Sequence, residues 1–210
     1  MLNLLKMDFR IYKTSFLFML FYAVFFPAMF DSFAIVGTIS FLCIYMILVS
    51  ALSAEEKDQV DLLHKSLPVT SREIIGTKYI EAVIVWFASV ILSIFAIKGI
   101  GYVKEVNNMP FYMFHNVRDV TFTLTTVFAA AMIMVSVMLP VMYKFGLGKG
   151  RFIINIIWFA AAFSFPTIFA LIGVEAANLT YGAICIAMLA AAAMSTIISF
   201  FISVRIYEKR

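Results

Sequence analysis

The chain has 210 residues, of which 64% are hydrophobic and only 13% charged. A soluble domain carries about 25% charged residues, so a water-covered globule is excluded and the long apolar runs place the chain in a bilayer. The formal net charge of +4 then concerns orientation in the membrane and gives no reason to expect nucleic acid.

Inside lipid every backbone N–H and C=O needs a partner, so repeated apolar runs mean helices. The expected fold class is an all-α integral membrane protein, a single domain over 1–210 with six transmembrane helices. These lie at approximately 14–30, 33–54, 79–97, 120–143, 152–174 and 176–204, each near or above the roughly 20 residues that cross a hydrocarbon core. Ahead of them, MLNLLKMDFRIY sets Leu2, Leu5, Phe9 and Tyr12 at helical spacing, with Lys6, Arg10 and Lys13 on another face. This predicts an amphipathic interfacial helix on the inner leaflet. No small-residue cleavage site follows Pro27 and a second span begins almost at once, so the first span reads as a retained helix and not a signal peptide. Asp31-Ser32 is the only break before span two, which makes spans one and two a tight hairpin.

Residues 53–79 interrupt the apolar pattern and hold nine of the 28 charged side chains. Val60, Leu63 and Leu67 recur at helical spacing, and Glu56, Asp61 and Lys65 offer polar faces. Pro68 ends that short helix, because it disfavours helical geometry at Leu67 and has no N–H to donate. Thr70 with Glu73 three residues later fits a capping box, and Arg72 lies between them, so a new helix starts there and runs into span three. A solvated connector is the bland reading. Against it, an apolar stripe outside the bilayer must bury itself on lipid or protein, and the sharp proline geometry suits a rigid contact.

Span three has Glu81 near its inner end, within snorkelling reach of Lys78. No ionisable residue falls at the centre of a span, which argues against an autonomous proton- or sodium-coupled carrier. The weaker polar groups are Thr38, Ser40 and Ser50 in span two and Asn155, Ser164 and Thr167 in span five. They read first as helix–helix hydrogen bonds, worth about 0.6–2 kcal/mol each, and second as lining of a transport pathway. Pro27, Pro140 and Pro166 mark candidate kinks. GLGKG at 146–150 lacks the spacing and hydroxyl of a phosphate-binding loop and reads as a flexible turn between spans four and five. Cys43 and Cys185 fall in apolar runs and read as small fillers, with no metal site.

With both termini inside, 13 of the 16 Lys and Arg are cytoplasmic: Lys6, Arg10, Lys13, Lys57, Lys65, Arg72, Lys78, Lys144, Lys149, Arg151, Arg205, Lys209 and Arg210. Only Lys98, Lys104 and Arg118 fall outside. The bias sets a multi-pass protein with both termini in the cytoplasm.

Ser66-Leu67-Pro68-Val69, Ser71-Arg72-Glu73 and Lys78-Tyr79 resemble the segment after the second span in permease subunits of type-two ABC exporters. Six spans and internal termini fit a half-permease of the small kind that exports bacteriocins, bacitracin-like antibiotics and phenol-soluble modulins from bacteria. The resemblance implies a cytoplasmic coupling helix formed by Val60, Leu63, Leu67, Pro68, Thr70, Arg72 and Glu73, docked on a separate ATPase. It implies a bacterial plasma-membrane location and two copies of a cytosolic ABC ATPase. A second permease subunit, identical or not, and an amphipathic peptide cargo complete the assembly. No cofactor is bound directly; ATP and Mg²⁺ are used by the partner. One departure concerns larger relatives, which place re-entrant helices between spans five and six. Here that connection shrinks to about 173–178, and the longer outer segment is 98–119.

Two other readings compete. One is a non-transporting membrane scaffold or immunity protein that uses the same loop. The other is an intramembrane protease of the CAAX type, suggested by Glu55-Glu56 and by Phe111 with His115. That family requires Arg four residues after its second Glu, where this chain has Val60, and the only histidines are His64 and His115. The topology also separates the Glu pair from His115 across the membrane.

Overall fold

A computed structural model describes residues 17–18, 20–25, 34–57, 70–106, 117–176 and 181–209. All regular structure among them is helical, as apolar segments without water require. In chain order the helices are α1 (20–25), α2 (Ala34–Lys57), α3 (Ser71–Val106), α4 (117–145), α5 (147–176) and α6 (Tyr181–Glu208). Helix α4 and helix α5 form one helical run, Val117–Ala176, broken at Gly146. Among the described residues three stretches are long and apolar enough to cross a membrane: Ser71–Val103, Val120–Gly146 and Gly182–Glu208. The stretch Ile39–Ser53 is a shorter apolar helix. The predicted interfacial helix, together with Val60, Leu63, Leu67 and Pro68, lies outside the described residues.

Each expected span contains helix, but the helix ends differ from the span ends. Helix α3 begins at Ser71, well ahead of the apolar run, and ends at Val106, past Lys98. Its 36 residues extend about 54 Å at 1.5 Å per residue, against a hydrocarbon core of about 30 Å. Hydrogen bonding continues a helix where apolarity stops, so its first turns project beyond the bilayer core. The turn between α4 and α5 is tight, as expected from GLGKG. Gly146 alone is non-helical, at φ 72° and ψ 173°, a backbone region essentially reserved for glycine. Gly148 and Gly150 already belong to α5.

The chain divides into two compact units, Met1–Ala131 and Met132–Arg210. In the first, α2 packs on α3. Buried positions on α2 recur as Ile39/Ser40, Cys43/Ile44, Ile47/Leu48 and Ala51/Leu52, the stripe of a helix seated on a neighbour. Helix α3 answers with Ile74/Ile75, Lys78, Glu81/Ala82, Val85/Trp86, Ser89/Val90, Ser93 and Ile97. Its other face exposes Ile80, Ile84, Phe87, Ile91 and Phe95, side chains that lipid tails cover. The Trp86 ring meets Phe128 edge-on at 4.8 Å.

In the second unit α4 and α6 touch at two levels. The Ser199 hydroxyl donates to the Ser136 carbonyl at 2.5 Å, and the Ser136 hydroxyl lies 3.3 Å from Thr196 Oγ1. Farther along, the Tyr143 and Tyr207 rings meet edge-on at 5.6 Å. Both contacts advance in the same chain direction, so the two helices run parallel. Lys144 and Arg205 therefore fall at the same end of the unit, with α5 returning the chain between them. The opposite face of α6 is open, with Ile186, Met194, Ile198 and Phe201 exposed.

Candidate functional site

The first turn of α3 is where the predicted coupling segment meets a described helix, and the expected capping box is formed. The Thr70 amide donates to Glu73 Oε2 at 2.9 Å, and the Thr70 hydroxyl lies 3.0 Å from the same oxygen. In return, the Glu73 amide reaches Thr70 Oγ1 at 3.4 Å. The Thr70 carbonyl accepts from the amides of Glu73 and Ile74 at 3.0 and 3.2 Å. These bonds satisfy amides that a helix start leaves without a partner. They also hold the Glu73 carboxyl below the usual carboxylate range, the Thr70 amide first and its hydroxyl second. Arg72 points outward and is exposed.

One turn on, exposure ends. Ile74 and Ile75 are buried, and then a charge pair follows. Lys78 Nζ lies 3.7 Å from Glu81 Oε2, with the two side chains 2% and 0% exposed. Glu81 thus lies within reach of Lys78, as the sequence spacing suggested, and both groups are buried. A cover of neighbouring side chains encloses the Lys78 stem and ammonium group, and the charge is met by a carboxylate three residues along the same helix. Two charges removed from water remain ionised there only through close pairing and further polar contacts. Beyond them Ser89 and Ser93 continue the buried polar face, each hydroxyl donating to a carbonyl of its own helix (Trp86 at 2.8 Å, Ser89 at 2.7 Å).

The arrangement is mechanical in kind. A capped end, an anchored charge pair and an uninterrupted helix connect residue 70 to the far end of α3 near Val106. No kink interrupts the helix between these ends.

The suggested pathway residues fare differently. Ser40 is fully buried and donates to the Val36 carbonyl at 2.7 Å, and Ser50 does the same to Met46. Both hydroxyls bond backward to a carbonyl one turn earlier on α2. Asn155 is exposed on α5, while Thr38, Ser164 and Thr167 fall on α2 and α5. The hydroxyls that do cross between helices, Ser136 and Ser199 with Thr196, were not among the sequence candidates. Their signal was present in the spacing of Ala192, Thr196, Ser199 and Ser203, one small-residue face along the last span. Among the described residues no group of His, Cys, Asp and Glu is placed to hold a metal ion.

Comparison with known proteins agrees with this reading of the chain. The family model described as ABC-2 family transporter protein matches residues 3–208. No curated protein and no solved structure matches the chain. The match covers nearly the whole sequence, and the chain belongs to the ABC-2 transporter family: it is a multi-pass membrane permease of an ABC exporter, a transport subunit whose family implies an ABC ATPase as partner.

Proposed function

We propose that this permease is one half of a dimeric exporter that moves an amphipathic peptide out of a bacterial cell by alternating access. Both termini lie in the cytoplasm. Two cytosolic ATPases grip the segments at 53–79, and ATP binding tilts the spans from inward-open to outward-open. Such a change requires that ATP favour one of the two states. The Val60, Leu63 and Leu67 stripe docks on the ATPase, Pro68 sets the angle, and Thr70, Arg72 and Glu73 pass the motion into α3.

The observation that carries this reading is the capping box at the head of a 36-residue unbroken helix. A slack connector would need no such cap, whereas a lever needs its end ordered. The basic bias, 13 of 16 Lys and Arg on one side, supports placing that end in the cytoplasm. The 23 Phe and 13 Met suit a cavity for an adaptable, partly apolar cargo, since soft side chains fit varied shapes.

The test is reconstitution of the permease with its ATPase in vesicles, measuring peptide export per ATP hydrolysed. ATPase co-purification with export of an amphipathic peptide is the expected result. An ATPase that binds while no peptide stimulates hydrolysis or crosses the bilayer would favour the scaffold reading instead.

A further inference from the structure

The GLGKG turn has no part in the lever, yet its position in the second unit is specific. Gly146 reverses the chain after α4, and the reversal is close. A Cβ on Gly150 would stand 3.2 Å from the Met142 Cα, so the start of α5 lies directly against the end of α4. Lys149 and Arg151, on either side of Gly150, are thereby held beside Tyr143 and Lys144. The Tyr143–Tyr207 ring contact at 5.6 Å brings the end of α6 to the same place, and with it Arg205 and Lys209. Two basic clusters some 60 residues apart in sequence come to the same end of the unit. Five cations stand there against a single carboxylate, Glu208. Lys144, Lys149, Arg205 and Lys209 are all exposed.

The geometry points to this end of the second unit as a binding site for the anionic headgroups of membrane phospholipid. The apolar neighbours select a lipid over a water-borne partner. Phe145 and Phe152 stand 45% and 69% exposed among the cations, and Lys144 Nζ lies 5.3 Å from the centre of the Phe145 ring. Bare phenyl rings beside ammonium groups suit the boundary between acyl chains and phosphates, where each finds its own solvent. Arg and Lys then meet phosphate oxygens by charge-assisted hydrogen bonds, and basic surfaces between helix ends are where such headgroups are held. The inference goes beyond the transport reading, because it needs neither cargo nor ATPase.

The experiment uses the full-length permease and three probes: phosphatidylglycerol, phosphatidylcholine of the same acyl chains, and inorganic phosphate. Bound lipid is counted by native mass spectrometry after detergent exchange. Wild type is expected to retain phosphatidylglycerol over phosphatidylcholine, less so as salt rises. Each surface cation is worth about fivefold in affinity for an anionic membrane. The K149Q/R205Q/K209Q variant should therefore bind phosphatidylglycerol about a hundredfold more weakly, with K98Q as an unaffected control. If the triple variant is not recovered folded, K209Q alone should show the single-charge loss and a shallower salt dependence. Equal retention of the two lipids by wild type, or unchanged phosphatidylglycerol binding by the variants, overturns the proposal. Displacement of lipid by millimolar inorganic phosphate would identify a free-phosphate site and overturn it too. Loss of ATPase binding with lipid retention intact would make the surface a protein contact, with the same consequence.

Discussion

Replacing Lys78 with Met tests whether the buried pair anchors α3. At 3.7 Å, two unit charges attract by about 4 kcal/mol at an effective dielectric of about 20. Desolvation of both groups offsets most of that, so the net worth of the pair is small. Removal of one partner is different, because a carboxylate 0% exposed is left without its cation. Breaking a buried pair in this way costs about 3–5 kcal/mol. Lys78→Met and Glu81→Gln are each expected to lower stability in this manner. The double variant K78M/E81Q should be destabilised by less than their sum, with a coupling of about 1–3 kcal/mol. The assay is reversible unfolding of the purified permease by titration with a denaturing detergent, for wild type, both single variants and the double variant. If the single costs add within about 0.5 kcal/mol, the two groups do not stabilise one another and the anchor is refuted. A function of the anchor would be seen separately, as lower export per ATP in the single variants and recovery in the double variant.

Four further outcomes are expected. Thr70→Ala should weaken the helix start by only about 0.5 kcal/mol, the low end for a cap, because the Glu73 amide already donates to the Thr70 carbonyl at 3.0 Å and reaches the hydroxyl at 3.4 Å; unchanged amide exchange over residues 71–74 would contradict this. Because its bonds to Thr70 lower the Glu73 pKa, the cap is fully present above the ordinary carboxylate range and is lost as pH falls through the lowered value, so those amides should lose protection in acid in wild type and not in Glu73→Gln. Gly150→Ala should disturb the approach to Met142, and Gly146→Ala should cost about 1–3 kcal/mol, whereas Gly148→Ala, which meets nothing within 4 Å, should be neutral or stabilising; equal thermal midpoints for all three would contradict the turn geometry. Leu63→Asp or Leu67→Asp should abolish ATPase pull-down with normal insertion, and in a background lacking Cys43 and Cys185, Asp61→Cys should resist labelling from outside the cell while Asn107→Cys accepts it; the reverse labelling pattern would overturn the orientation.

What was legible in the sequence is what depends on composition or on neighbours a few residues apart. Apolar runs such as 120–143 declare membrane helices because lipid leaves the backbone no other solution. The Thr70–Glu73 cap was readable because both halves of the bond lie within one turn. The motif around Pro68 pointed to the family because it is a short run of neighbouring residues. The remainder needed distant segments to meet. That Lys78 and Glu81 lie within reach of each other was readable from their spacing, but that both are buried depends on the surrounding side chains of the folded chain. That Ser40 and Ser50 bond to carbonyls of their own helix was not readable from the sequence, because whether a hydroxyl turns to a neighbour or to its own helix depends on what stands opposite. That Ser136 meets Ser199, that α4 and α6 run parallel, and that Lys149 shares a surface with Lys209 were tertiary decisions. Periodicity tells which face of a helix is buried, but it cannot tell which other helix covers that face.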